Sequence, residues 1–284
     1  TLCINGILNY CLIYGNLGFP ELGVQGAAIA TLVSRCVELL IVAVYLKFFE
    51  RRLHLRVRSL VRMDKSYLKD YAHISLPVLV NQALWGVAQM VQTGILGHLG
   101  GDVTAANAIA VQVYQVLSVV SYGAASAAAI LVGKTVGSGQ KEQLRQLVST
   151  LERMFLLLGI AAGAAIWAVR GPVLALFGGT LTQQASQLAM SFMAVLAVTT
   201  VGTSYQMACD NGIIRGGGDT AFSAKMNLVS MWLILVPVAA AAAFWWNAPP
   251  TVVFFLLKWD QLYKILPVAL RLHSWKWVRV VTRP

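Results

Sequence analysis

The stretch Lys47–His73, KFFERRLHLRVRSLVRMDKSYLKDYAH, decides how the rest of the chain is read. It carries Lys47, Arg51, Arg52, Arg56, Arg58, Arg62, Lys65 and Lys69 against Glu50, Asp64 and Asp70, with apolar segments on both sides. A basic loop between membrane spans stays on the cytoplasmic face. This stretch therefore orients every other segment and divides a short first part from a long second one. Of the 284 residues, 58% are hydrophobic and 12% charged, well below the ~25% charged residues of a soluble domain. With a mean hydropathy of +0.69, so apolar a chain reads as an all-α polytopic membrane protein. The net charge of +11 raises nucleic acid as a partner. That reading fails, because the basic residues lie in connections between apolar segments and not on one soluble face.

A helix needs roughly 20 apolar residues to cross a bilayer. Eight stretches qualify: 1–16, 24–46, 74–97, 104–132, 154–177, 187–209, 223–246 and 251–270. With even-numbered connections and the tail taken as cytoplasmic, Lys and Arg number eight in 47–73, four in 134–153, two in 210–225 and four in the tail. That is 18 of 22, with none in the opposite connections and four inside spans. Such asymmetry is a topology signal. The expected organisation is two helices of a first lobe (1–46), a basic inter-lobe loop (47–73), a six-helix second lobe (74–272) and a cytoplasmic tail (273–284). Gly159 and Gly163 form a GxxxG pair and Ala124 to Ala129 is a run of small residues, both of which permit close helix approach in lipid. Pro237 should kink its span.

Catalysis finds little support. His54, His73, His98 and His273 show no metal-ligand spacing, and Cys3, Cys11, Cys36 and Cys209 form no CxxC pair and read as buried apolar side chains. The glycine-rich run Arg215-Gly216-Gly217-Gly218-Asp219-Thr220 lacks the Lys-Ser/Thr of a phosphate loop and reads as a tight interhelical turn, with Asp219 holding it. The longest hydrophilic stretch has 27 residues, too few for an ATPase domain. No cofactor and no bound metal are expected.

The informative polar residues lie inside spans. Gln82, Gln89 and Gln92 with Trp85 share one face of the third span, where Asn81 also lies. Gln112, Gln115, Ser118 and Tyr122 are spaced 3, 3 and 4 in the fourth, and Thr199, Thr203, Gln206 and Asp210 are spaced 4, 3 and 4 in the sixth. Polar side chains in hydrocarbon turn toward partners or water. Three stripes suggest a shared polar cavity; interhelical hydrogen bonding without a cavity is the alternative. The candidate substrate- or ion-binding residues are therefore Asn81, Gln82, Gln89, Gln92, Gln112, Gln115, Tyr122, Thr203, Gln206 and Asp210. Arg35 with Glu38, at i and i+3, and Asp260 with Lys264, at i and i+4, are read as structural ion pairs. Asp210, the only acid on the stripes, either exchanges a cation in the cavity or caps its helix and pairs with Arg215.

These residues also carry a resemblance. The run Asn5-x3-Asn9-Tyr10-x2-Ile13-x-Gly15-x2-Gly18-Phe19-Pro20-x-Leu22-Gly23-Val24-x-Gly26-Ala27-Ala28-Ile29-Ala30-Thr31 resembles the fifth and sixth helices of multidrug and toxic compound extrusion (MATE) transporters. Ala105-Ala106-x3-Ala110 with Leu131-Val132-Gly133-x3-Gly137-x-Gly139 resembles their eighth helix and its exit. The run Ile214 to Thr220 resembles their loop after helix ten, and Trp275-Lys276-Trp277 their ending. The resemblance implies twelve helices in two six-helix lobes, of which this chain looks like helices five to twelve. About four further spans are then expected upstream of Thr1. It implies a plasma-membrane antiporter, in the bacterial inner membrane, that exports small amphipathic or cationic compounds in exchange for Na+ or H+. Its expected partners are a small-molecule substrate, the lipid bilayer and the missing N-terminal helices. Some family branches carry an acid in helix five, where this chain has Asn9. Others carry one in helix seven, where Asn81 to Trp85 has none. The coupling ion stays open between Na+ and H+. Two other readings stay open as well: a flippase of lipid-linked precursors, which would show a strongly cationic cavity, and a membrane subunit driven by a separate ATPase.

Overall fold

A computed structural model of the chain describes residues 2–48, 65–177 and 181–278. Among these residues every regular element is helical. The first two helices, α1 (Leu2–Tyr14) and α2 (Gly23–Phe48), flank a short 3-10 turn at Asn16–Gly18. Then follow α3 (Lys65–His98), α4 (Gly101–Gly137), α5 (Lys141–Leu176) and α6 (Gln183–Ala208), the last extended by a π-helical turn, Cys209–Ile214. Next, α7 (Thr220–Val229), a π-helical turn (Ser230–Leu235) and α8 (Val236–Phe244) form one rod. Three short helices end the chain: α9 (Pro250–Leu256), α10 (Asp260–Tyr263) and α11 (Ile265–His273).

By length and composition, the helices at Gly23–Phe48, Gly101–Gly137, Glu142–Leu176, Gln183–Ile214 and Thr220–Phe244 suffice to cross a membrane, and Cys3–Tyr14 is a shorter apolar helix. This is a multi-pass membrane protein. The third expected span lies within α3, whose amides dilute its apolar character. The eighth, expected as one helix over 251–270, is broken into α9, α10 and α11. Lys258, Asp260 and Lys264 fall at or beside the breaks, where irregular backbone is tolerated because it borders a polar cavity.

Both ends of the expected loop 47–73 are helical. Phe48 still belongs to α2 and Lys65 already begins α3; residues 49–64 lie outside the described residues. At 1.5 Å per residue a helix of 34 residues outruns a hydrocarbon core of about 30 Å. Charge in a sequence marks where hydrocarbon stops and need not end a helix. The expected tail is described only to Val278.

The chain divides into two compact units, residues 1–75 and 76–284. In the first, α1 and α2 form a tight hairpin. Gly15 turns the chain at φ +66°, Leu22 N–H donates to the Leu12 carbonyl at 2.9 Å, and Gly26 lies so close to the Leu12 backbone that no Cβ fits. The second unit is built on close helix contacts. A Cβ at Gly163 would lie 2.5 Å from the Ala197 carbonyl oxygen, and one at Gly159 2.9 Å from that of Val201. The GxxxG pair thus seats α5 on α6. The small residues of α4 serve the same purpose, with Ala125 opposite Gly212 and Ala129 opposite Gly216. Pro237, which lacks the N–H a helix needs, is the second residue after the Ser230–Leu235 π-turn, in the first turn of α8.

The glycine-rich run forms the expected turn, and Asp219 reaches from it to a residue of the last helix. Its carboxylate accepts from Arg271 Nε at 2.8 Å and also from Nη2, tying the turn to α11. Gly217 leaves room for the ring of Trp277, which is fully buried and donates to the Leu272 carbonyl at 2.9 Å. Two apolar clusters fill the second unit. One gathers Ile95, Val103, Ala106, Phe192, Leu196 and Phe254; the other gathers Val132, Leu144, Phe155, Ile213, Leu272 and Trp277. Along α4 and α6 the polar stripes fall between the two.

Candidate functional site

The stripes meet around one cavity of about 600 Å³. From α3 come Asn81, Gln82, Trp85, Gln89 and Gln92; from α4 come Tyr114, Gln115, Ser118 and Tyr122; from α6 and its π-turn come Thr199, Thr203, Gln206 and Asp210. Gln112 is the exception. It is exposed and does not line the cavity. The stripe of α4 runs through positions 111, 115, 118 and 122, spaced 4, 3 and 4, which holds a straighter line on a 3.6-residue helix than 3, 3 and 4. Val111 takes the place that Gln112 was expected to fill.

Interhelical hydrogen bonding also occurs, beside the cavity. Ser121 of α4 meets Ser204 of α6 at 2.9 Å, both buried. The cavity is open where Gln82, Trp85, Gln115 and Tyr122 are exposed. It is closed where Gln206, Asp210, Asp260 and Lys264 are buried.

A chain of polar contacts crosses that closed end. Gln206 Nε2 donates to Gln261 Oε1 at 2.8 Å. Gln261 Nε2 donates to both Asp260 oxygens at 2.9 and 2.8 Å. Lys264 Nζ donates to Asp260 at 2.8 Å and to Asn227 Oδ1 at 3.2 Å. Asn227 Nδ2 in turn donates to Asp210 at 3.2 Å. Asp210 also accepts from Ser223 and faces Arg215 at 3.8 Å. Asp210 thus pairs with Arg215 and also lines the cavity. Asp260 and Lys264 form the expected ion pair, and they too line the cavity. Arg35 and Glu38 pair at 2.7 Å with exposed side chains.

Sequence reading missed Tyr114, Asn227, Lys258 and Gln261. For Asn227 the signal was present: Ser223, Asn227 and Ser230 are spaced 4 and 3 on one face of the seventh span. For Gln261 no periodic signal existed, because the helix that holds it is broken. Chemically, the cavity offers amide and hydroxyl groups with two aromatic rings at its open side. Its floor carries ionisable groups, and each acid there faces a base.

Comparison with known proteins follows the same lines. The MatE family model matches residues 77–241. A Thermotoga maritima protein described as a probable multidrug resistance protein NorM is 28% identical over 243 residues, covering 84% of this chain and 50% of its own length. A Bacillus subtilis protein described as probable multidrug resistance protein YoeA is 23% identical, covering 84% of this chain and 52% of its own. The chain thus spans about half the length of the curated relatives it matches. Among solved structures, the outward-facing conformation of a multidrug resistance MATE family transporter of the MOP superfamily superposes with a TM-score of 0.77 at 22% identity. That match covers 96% of this chain and 60% of the other.

Proposed function

Because the chain belongs to the MatE family, we propose that it forms part of a secondary antiporter exporting small amphipathic or cationic compounds in exchange for Na+ or H+. The observation that carries this reading is the polar cavity among α3, α4, α6 and the broken eighth passage, with buried ionisable groups at its closed end. Discontinuous helices bordering a cavity are where transporters place substrate and ion sites, and alternating access exposes such a cavity to one side at a time.

Asp210 is the proposed coupling residue. A proton or Na+ arriving there competes with Arg215, Ser223 and Asn227 for the same carboxylate. Asn227 links Asp210 to Lys264 and so to Asp260. The exchange of one cation therefore alters what holds the Cys209–Ile214 turn against α7 and α10. That is the kind of local charge change that biases a two-state element.

The test is transport by the full-length protein in proteoliposomes, with Na+ and H+ gradients imposed separately. Uphill accumulation driven by one gradient supports antiport. Equal, purely downhill movement under both gradients refutes it.

A further inference from the structure

The cavity holds more cation than acid. Among the described residues, Asp210 and Asp260 are its lining carboxylates, whereas Arg215, Lys258 and Lys264 all line it. Lys264 is committed to Asp260, and Arg215 faces Asp210. Lys258 forms no salt bridge with any described carboxylate. It sits in the turn between α9 and α10, with its ammonium 6.0 Å from the centroid of the buried Phe254 ring. A second group is also unmatched. Arg215 Nε is buried and has no hydrogen-bond partner among the described residues. A buried donor without an acceptor is costly, and a cation in low dielectric favours a counter-charge. Spare capacity in this cavity is thus on the donor side, and it is positive.

We propose that the cavity takes amphipathic compounds bearing an acidic group, with Lys258 binding the anion. The ring of such a compound meets Trp85 and Tyr122 at the open side, each about half exposed at 53% and 51%. The carboxylate, sulfonate or phosphate lies toward Lys258. Arg35, the basic residue expected from sequence near mid-membrane, belongs to the first unit and is an exposed member of its own pair there. This inference rests on the transporter reading for its transport step, while the binding site stands on the geometry alone.

The experiment compares two probes with one ring and opposite charge, 1-naphthylacetate and 1-naphthylmethylammonium, in equilibrium dialysis with purified full-length protein. The parent should bind the anion more tightly than the cation. Lys258→Met, which keeps the stem and removes the charge, should weaken the anion about tenfold or more, since loss of a charge-assisted hydrogen bond exceeds the free energy of a tenfold change. It should leave the cation within about twofold, a span smaller than that tenfold step. Lys258→Arg should restore anion binding. Displacement of naphthylacetate by a polyprenyl phosphate in nanodiscs assigns the anion to a lipid headgroup; displacement by soluble aromatic carboxylates alone assigns it to a free solute. Both outcomes uphold the anionic class. Tighter binding of the cation by the parent, equal change of both probes in Lys258→Met, or no saturable binding of the anion overturns the inference. Gradient-driven export of naphthylmethylammonium without anion binding would leave the antiporter reading standing and remove this one. Anion binding without gradient-driven transport would do the reverse.

Discussion

Asp260 and Lys264 close to 2.8 Å with about 4% of each side chain exposed, which makes them the costliest pair to disturb. Asp260→Asn leaves Lys264 buried without its counter-charge and should destabilise the protein by about 3–5 kcal/mol, read as a lower melting temperature in detergent. Adding Lys264→Met should recover most of that loss. Parental melting of the single variant would mean that water reaches the pair. By contrast, Arg35→Ala breaks an exposed pair and should cost less than about 1 kcal/mol. Asp210→Asn keeps shape and removes charge. It should abolish gradient-driven export while expression and insertion stay intact, and unchanged transport with unchanged ion dependence would take the coupling role from Asp210. Spacing within one helix made the Arg35–Glu38 and Asp260–Lys264 pairs legible. Spacing cannot report a neighbour from another helix, so Asn227, which with Lys264 links Asp210 to Asp260, and Gln261, which links Asp260 to Gln206, stayed hidden until the helices were packed.

At the scale of elements, backbone proximity decides. Gly163 meets the Ala197 carbonyl with no room for a side chain, so Gly163→Leu should push α5 from α6 and cost about 1–3 kcal/mol by overpacking. A thermal shift assay reads it, and an unchanged midpoint would show that the two helices separate freely. Trp277 fills the seat above Gly217 and is wholly buried. Trp277→Ala should cost about 3–5 kcal/mol, the usual loss for a large buried aromatic, and should loosen the Arg215–Asp219 turn to proteolysis. GxxxG, the alanine run and the glycine-rich turn were legible because small residues in an apolar span have few other uses. The break between α9 and α10 was not, since Leu257-Lys258-Trp259 contains no glycine or proline to announce it. Tertiary packing around the cavity, not local propensity, sets that break. The start of α3 at Lys65 was missed for the opposite reason, because charge was read as an end to helix when it signals only an end to hydrocarbon.

For the whole molecule, charge asymmetry sets orientation. In a background lacking Cys3, Cys11, Cys36 and Cys209, a single cysteine at exposed Ser138 should resist an impermeant maleimide added outside cells, and one at exposed Gln183 should react. The reverse pattern would invert the topology. Of the ten candidate residues, nine line one cavity and Gln112 is exposed instead; the cost of placing amides in hydrocarbon turns such side chains toward a common polar space. The charge of that cavity was less legible, since each cation came from a different local setting: a turn, a broken helix, an ion pair. The central claim is that movement of the compound and of a cation are one event. Its most direct measurement imposes only a gradient of the transported compound across liposomes containing the full-length protein, with membrane potential clamped, and follows internal Na+ and pH. Coupled exchange predicts that Na+ or H+ moves opposite to the compound, and that Asp210→Asn abolishes the ion movement. A compound that runs down its gradient with neither ion moving, or that moves only when a nucleotide is hydrolysed, would contradict it.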